Sequence, residues 1–375
     1  MFFGELMALA TDTDFMMMAL TLAERGLGQV APNPAVGCVI VRDGVVVGRG
    51  HTQVGGRPHA ETVALAHAGD KARGATAYVT LEPCAHHGKT GPCAEALIAA
   101  GVARVVAAVS DPDPRVAGRG FAMLEKVGIE VTEGVGMARA LHLNQGFFLK
   151  VNEDRPLVTL KIASSVDGRT ASKTGHSKWI TGSGARERGH LLRATHDAIM
   201  IGSATAIVDD PVLTCRLTGL EARSPVRIVA DGRLRLPLTS KLVRDARKVP
   251  VWVLTFPGAD AGRRAAFIDC GVELIDVPVV AETGLMDMKA AMRILAQRGL
   301  TRLLVEGGAR LASSLVRARL VDRVEWFRSS SILGGDAYPA IAALGIERVD
   351  DAPKLSLTHQ LALGSDTLSS YVMRG

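Results

Sequence analysis

Pro58-His59-Ala60-Glu61 and Glu82-Pro83-Cys84-Ala85-His86-His87-Gly88-Lys89-Thr90-Gly91-Pro92-Cys93 together carry one imidazole, two thiols and a carboxylate two positions past the imidazole. A His/Cys/Cys set fills three corners of a zinc tetrahedron and leaves the fourth for water, as in a catalytic rather than a structural site. His59, Cys84 and Cys93 are the expected ligands. The metal lowers the pKa of water toward neutrality, and Glu61 is placed to shuttle protons while water adds to an amidine-like carbon and ammonia leaves. The implied chemistry is hydrolytic deamination.

The flanking patterns put these residues on defined elements. Ala60 to Ala68 has a helical apolar pattern starting behind Pro58, so His59 and Glu61 fall in a first helical turn. Cys93 opens a second helical run, Ala94 to Ala100, behind Pro92. Free amides and the dipole at that helix start favour a thiolate at Cys93. Between the helices, Ala75 to Leu81 alternates like a strand and delivers Cys84. A structural zinc site, or buried thiols near a solvated glutamate, would require three ligands and the carboxylate to coincide at this spacing.

Upstream, Asp14 to Gly26 reads as a helix, followed by Pro32-Asn33-Pro34 and a hairpin with strands Cys38 to Val41 and Val45 to Gly48 around Asp43-Gly44. Asn33, between prolines, suits either a contact to a pyrimidine edge or an ordinary turn role. His51, taken alone, reads as a hydrogen-bonded loop residue. Downstream come the strand Val102 to Val109, the loop Asp111-Pro112-Asp113-Pro114, a short helix to Val127 and the strand Ile129 to Val131. This alternation implies a three-layer α/β/α domain over residues 1–150, with a mainly parallel sheet after the hairpin. Val151 to Pro156 is polar, ends in proline, and is read as a linker.

A second α/β domain is expected over 156–375. It opens with the strand Leu157 to Ala163, and a charged helix runs through Arg193. Ala198 to Ile201, Pro225 to Ala230 and Val251 to Thr255 read as further strands. Its clearest feature is the apolar strand Leu303-Leu304-Val305-Glu306, which passes through Gly307-Gly308 into the helix Leu311 to Arg319. Such a junction offers bare amides and a positive helix end to a pyrophosphate, although a Gly-Gly turn also marks tight packing. The absence of G-x-G-x-x-G after a strand disfavours a Rossmann domain.

Composition narrows the partners. At 375 residues, two domains of ordinary size are expected. The chain is 47% hydrophobic with mean hydropathy +0.20, yet no apolar run is long enough for a membrane span. Met1 to Leu20 carries Glu5, Asp12 and Asp14 and no basic residue, unlike a targeting peptide, so a cytoplasmic location is expected. Five cysteines, Cys38, Cys84, Cys93, Cys215 and Cys270, disfavour a disulfide framework. A net charge of +6 suits an anionic partner, but aromatics at 4% offer no base-stacking platform for nucleic acid. Phosphorylated small molecules explain the same surplus of charge, and a homo-oligomer is expected.

Over nearly its whole length the chain resembles the bifunctional deaminase-reductases of riboflavin biosynthesis. The amino-terminal marks are Pro32-Asn33-Pro34 with Val36-Gly37, His59-Ala60-Glu61, and Glu82-Pro83-Cys84 through Pro92-Cys93. The insert between the cysteines is longer than in general zinc deaminases, which separates this family from tRNA and free-cytidine deaminases. The resemblance implies a cytidine-deaminase-like first domain that converts a diaminopyrimidinone bearing a phosphoribosylamino group to the uracil. Asn33 and His51 would seat the pyrimidine, and Lys89 and Thr90 would meet the phosphate.

The second half resembles the family's dihydrofolate-reductase-like domain, which uses NADPH to reduce the ribosyl group to ribityl. By position, Ala163, Trp179, Thr205, Asp209, Gly232 and the segment Gly308, Ala309, Arg310, Leu311, Ala312, Ser313, Ser314 match NADP sites. Ser177, Arg193, Leu213, Arg216 and Glu306 match substrate sites, and Arg193 with Arg216 would suit a phosphate fork. Asp209 and Glu306 are candidate proton donors to the sugar oxygen. The chain departs from the family at Phe327-Arg328-Ser329-Ser330-Ser331, before Gly334-Gly335-Asp336. A deaminase of RNA bases with a basic RNA-binding carboxyl-terminal module is the competing expectation.

Overall fold

A computed structural model of the protein describes residues 10–87, 91–113 and 117–374. The chain divides into two compact units, Met1–Glu153 and Asp154–Gly375.

The first unit contains α1 (Asp12–Ala23), the hairpin β1 (Gly37–Arg42) and β2 (Val45–His51), α2 (Ala60–Ala68), β3 (Thr76–Val79), α3 (Cys93–Ala99), β4 (Arg104–Ala107), α4 (Arg119–Lys126), β5 (Glu130–Glu133) and α5 (Met137–Glu153). Its sheet has the order β2-β1-β3-β4-β5. β1 runs antiparallel to both β2 and β3, and β3, β4 and β5 are mutually parallel. α1 starts two residues earlier than its apolar pattern suggests, because Thr11 and Asp14 form a reciprocal capping box.

The seating of α2 on the sheet positions the candidate metal site. Ala60, Ala64 and Ala68 repeat at four-residue spacing, are all buried, and face Gly48 and Gly50 of β2. A Cβ at Gly48 would lie 2.3 Å from the Ala64 carbonyl oxygen, and one at Gly50 would lie 2.4 Å from that of Ala60. Helix and strand therefore meet backbone to backbone, which fixes the start of α2 within narrow limits. The segment read as a linker differs from expectation in its first half, since α5 runs through Glu153. Asn152 and Glu153 are tolerated on its exposed side, and the chain turns only at Asp154, with φ 52, before Pro156.

The second unit contains β6 (Leu157–Ser164), β7 (Arg169–Ala171), α6 (Ser183–Ala194), β8 (Ala198–Gly202), α7 (Ser203–Asp209), β9 (Val226–Ala230), α8 (Lys241–Arg244), β10 (Val251–Thr255) and α9 (Ala261–Asp269). There follow β11 (Glu273–Asp276), β12 (Val279–Val280), β13 (Leu285–Met286), α10 (Met288–Gln297), β14 (Arg302–Glu306), α11 (Ala309–Arg317), β15 (Arg323–Arg328), β16 (Tyr338–Pro339), β17 (Leu355–Leu363) and β18 (Asp366–Met373). The main sheet has the order β11-β10-β9-β8-β14-β6-β15-β18-β17. It is parallel from β11 to β15, and β18 and β17 are antiparallel additions at one edge.

β14 shows why this sheet is covered on both faces. Leu303 and Val305 join one buried cluster with β6 and α11, while Leu304 joins the other with Ile199, Ile201 and Val229. The departure at Arg328 to Ser331 does not disturb the register. The Ser329 N–H donates to the Ser164 carbonyl at 2.9 Å, and the Val166 N–H to that of Ser331 at 2.9 Å. Among the described residues no helix is long and apolar enough to cross a membrane.

Candidate active sites

His59 is the residue capping α2, and Cys93 is the first residue of α3. His59 Nδ1 lies 3.3 Å from Cys93 Sγ and 3.7 Å from Cys84 Sγ, and the three donor atoms all fall within 4.8 Å of one another. Metal–sulfur bonds of about 2.3 Å and a metal–nitrogen bond of about 2.1 Å place tetrahedral ligand atoms about 3.6 to 3.8 Å apart. The donor set and its spacing therefore fit zinc.

Hydrogen bonding from Cys93, helped by His59, holds the Cys84 thiol down at about 4 against the opposing effect of burial. Cys93, the donor to Cys84 and itself buried, is pushed upward, and His59 is raised chiefly by its bond to Cys84. The start of α3 also faces the Cys84 sulfur. The Cys93 backbone N–H donates to Cys84 Sγ at 3.2 Å, and the Ala94 N–H to the Cys84 carbonyl at 3.2 Å. The helix start thus supports the sulfur facing it as well as carrying its own.

Glu61 is only 4% exposed. Burial, and then the Cys84 sulfur, push its carboxyl up to about 7, while His59 and a bond from the Cys93 thiol oppose the shift. A carboxyl poised near neutrality can both take and return a proton.

Glu82 is a site residue that motif reading passed over. It is 3% exposed, and its Oε2 accepts from the N–H groups of Asp111 at 3.1 Å and Gly118 at 2.9 Å, while Oε1 accepts from Gly120 at 2.9 Å. Three amides on one carboxylate tie the start of α4 to the segment that delivers Cys84. Glu82→Gln would turn an amide N–H2 against one of these donors. Zinc affinity in a chelator competition should then fall about 10- to 100-fold; wild-type affinity would contradict this anchoring role.

Asn33 Nδ2 donates to the Gly56 carbonyl at 2.9 Å, so its carboxamide is fixed to the loop that leads into His59. His51 is half-buried at the end of β2, opposite Gly37. Lys89 and Thr90 lie outside the described residues.

The second unit holds a cavity of about 740 Å³ lined from the carboxyl ends of β6, β8 and β14. β14 sits between β6 and β8, so chain connections leave in opposite directions across this point, which is where open parallel sheets form ligand crevices. Of the expected residues, Ala163, Ser177, Trp179, Arg193, Thr205, Asp209, Leu213, Arg216, Glu306, Gly308, Ala309 and Ala312 line it.

Gly232, Arg310, Leu311, Ser313 and Ser314 are not among the lining residues. Leu311 is packed into the core, and the Ser313 and Ser314 hydroxyls donate to the carbonyls of Ala309 and Arg310. Gly232 makes room for Phe256, whose ring would come within 2.5 Å of a Cβ there. These five share the neighbourhood of the cavity in sequence, but their side chains are committed elsewhere or, for Arg310, exposed to solvent.

Gly307 and Gly308 adopt φ of 79° and 86°, a region open to glycine at little cost, and α11 begins at Ala309. The bare turn and helix start suit the pyrophosphate of NADPH. Trp179 is 69% exposed with the Arg186 guanidinium 4.8 Å from its ring centre, leaving an indole for a planar ring. The α7 helix begins at Ser203 and brings Ala204, Thr205, Val208 and Asp209 to the cavity.

Glu306 meets Arg193 in a two-pronged pair, with Nε to Oε1 at 2.8 Å and Nη2 to Oε2 at 2.9 Å, and Arg193 Nη1 donates to the Thr214 carbonyl at 3.0 Å. Lys161, also missed in the sequence, reaches within 3.8 Å of Glu306. Its signal was a lysine inside a mostly apolar strand. Burial acts to raise the Glu306 carboxyl, but Arg193 and Lys161 outweigh it and hold it at about 2. Glu306 is thus an ionised acceptor at neutral pH and is unsuited to donate a proton. The Arg193 fork faces Glu306, so the expected Arg193–Arg216 phosphate fork is not what this geometry presents. Burial raises the Asp209 carboxyl, opposed by Lys178.

Comparison with known proteins agrees with both sites. The model described as "Cytidine and deoxycytidylate deaminase zinc-binding region" matches residues 9–109, and that described as "RibD C-terminal domain" matches residues 156–369. The riboflavin biosynthesis protein RibD of Escherichia coli K12 is 41% identical over 367 residues, covering 95% of this chain and 97% of that protein. The RibD of Bacillus amyloliquefaciens is 39% identical over 353 residues, covering 94% of each.

Among solved structures, RibD of Acinetobacter baumannii superposes with a TM-score of 0.88 at 38% identity, covering 97% of this chain and 99% of that one. The diaminohydroxyphosphoribosylaminopyrimidine deaminase/5-amino-6-(5-phosphoribosylamino)uracil reductase of Thermotoga maritima gives 0.84 at 34% identity, with the same coverage. A zinc-fitting His/Cys/Cys set in one unit, a glycine-turn crevice in the other, and this end-to-end similarity together show that the chain belongs to the RibD family of bifunctional riboflavin-biosynthesis enzymes.

Proposed function

We propose that the two units act in turn on one phosphorylated pyrimidine. The first, residues 1–150, deaminates 2,5-diamino-6-(5-phosphoribosylamino)pyrimidin-4-one to 5-amino-6-(5-phosphoribosylamino)uracil. The second, residues 156–375, reduces the ribosyl group of that product to ribityl with NADPH. The observation that carries the reading is Glu61, a buried carboxyl near neutrality beside three convergent zinc donors.

In the first reaction His59, Cys84 and Cys93 hold zinc, which supplies the Lewis acidity that makes water a nucleophile at neutral pH. Glu61 accepts a proton from the attacking water and returns it to the departing nitrogen, so water is consumed and ammonia released. Asn33 and His51 seat the pyrimidine. Glu82 holds the Cys84 segment in place.

In the second reaction the turn Gly307-Gly308 with Ala309, together with Ala163, Trp179, Thr205 and Asp209, holds NADPH, which supplies the hydride. Glu306, fixed by Arg193, accepts hydrogen bonds from the sugar hydroxyls, while Ser177, Leu213 and Arg216 complete the substrate pocket. This crevice aligns the reacting carbons and limits the access of water.

The same reading makes the substrate a free small molecule rather than a nucleic acid. Five free cysteines support a reducing, cytoplasmic setting. A homo-oligomer completes the proposal. The test follows both products in one vessel. Purified protein with stoichiometric zinc should release one ammonia per diaminopyrimidinone phosphate and then oxidise one NADPH per uracil formed; ammonia release from RNA or cytidine instead would overturn the substrate assignment.

A further inference from the structure

His190, a buried-edge histidine in the reductase cavity, has no part in either reaction as described above. It stands on α6 one turn before Arg193, and its Nδ1 accepts the Arg216 backbone N–H at 3.3 Å. The Cys215 thiol donates to the His190 carbonyl at 3.5 Å, so helix and loop are joined at two points. His190 and Arg216 both line the cavity. Arg216 is exposed and has no ion-pair partner among the described residues, whereas the Arg193 charge is matched by Glu306. One end of the cavity therefore carries an unneutralised guanidinium with an imidazole fixed to the same residue.

We propose that His190 is the partner of Arg216 in receiving the phosphate monoester of the substrate. The inference rests on the reading of this cavity as the reductase site. A phosphate dianion needs a cation and directed N–H donors. Arg216 supplies the cation. Because Nδ1 of His190 acts as an acceptor, the proton of the neutral ring lies on Nε2, which makes that nitrogen a donor.

The charged groups facing the ring are Arg193 on its own helix, Arg216 on the adjoining loop and Glu306 at the end of β14; the ring also donates to the Thr214 carbonyl, which a phosphate oxygen would replace or share. Burial first, then the two arginines, push His190 down to about 4, with Glu306 and Thr214 opposing. A bound dianion offsets the arginines and favours the charged imidazole. Phosphate binding should therefore draw a proton onto His190.

The test uses the full-length, zinc-loaded protein with carbon-13-labelled histidine, and His190→Gln identifies the resonance among the ten histidines. Saturating ribose 5-phosphate should raise the apparent pKa of His190 by about one unit or more, and inorganic phosphate should do the same. His190→Leu should raise KM for the phosphorylated uracil about tenfold with kcat and the NADPH KM little altered, and His190→Gln, which keeps a donor, should recover part of that loss. If calorimetry shows ribose 5-phosphate bound while the His190 titration and the KM of His190→Leu stay unchanged, the inference is wrong. If ribose 5-phosphate fails to bind at all, the reductase reading of the cavity falls with it.

Discussion

Glu61→Ala is expected to reduce ammonia release from the diaminopyrimidinone phosphate by about 10³- to 10⁴-fold, the upper range for loss of a positioned acid–base group. NADPH oxidation with substrate already deaminated should be unchanged, because Glu61 belongs to the first compact unit and the reductase cavity is built wholly from the second. The size of the effect follows from where the carboxyl sits. Burial and the neighbouring Cys84 sulfur raise it from the ordinary carboxyl range toward neutrality, which suits a group that must both take and return a proton. Water replacing the side chain would have no comparable driving force in either direction. Zinc content should survive the substitution, since Glu61 is not one of the three donors. Loss of both activities in a folded, zinc-loaded variant would contradict separate sites.

Glu306→Ala should lower NADPH oxidation about 100-fold or more while sparing deamination, and it should also destabilise the second unit by about 3–5 kcal/mol. The second effect arises because Arg193 and Glu306 are 15% and 11% exposed, so removing one leaves the other charged and poorly solvated. The double replacement Arg193→Leu, Glu306→Leu separates the two effects. It should recover most of the stability, as matched apolar pairs do, and none of the reductase activity. Recovery of activity would show that Glu306 serves only the fold.

The pH dependence has a definite sign. The Glu306 carboxyl is held at about 2, below its ordinary value of 4.5. Its contribution to stability is therefore complete above 4.5 and is lost only as the pH falls toward 2. Sugar binding through Glu306 should not vary between pH 5 and 9, and any ionisation seen there belongs to another group.

The zinc donors were legible in the sequence because each stands next to a local signal. Pro58 and Pro92 announce two helix starts, and an alternating strand ends beside Cys84. The glycine turn after β14 was legible for the same reason. What escaped was set by partners far along the chain. Glu82 looks like any acid before a proline until the amides of Asp111, Gly118 and Gly120 fold onto it from 29 to 38 residues away. Arg193 and Glu306 were both expected at the site, but their pairing was not, because 113 residues separate them.

Other differences have equally local causes. That the first amide of α3 meets the Cys84 sulfur is a matter of geometry that spacing does not encode. β17, by contrast, carries a period-two pattern, with Leu355, Leu357, Leu361 and Leu363 at alternate positions, although its place at the sheet edge leaves most of its residues exposed. The beginning of α7 was hidden by Gly202-Ser203, a pair that suits a loop as well as a helix cap.

Zinc-edge X-ray absorption on the full-length protein reads out the neighbours of the metal. One zinc per chain is expected, with two sulfur neighbours at about 2.3 Å and two nitrogen or oxygen neighbours at about 2.0–2.1 Å, of which one is His59 and the other exchanges with solvent. Four protein ligands around the metal, or a sulfur count unchanged by Cys84→Ser, would contradict it.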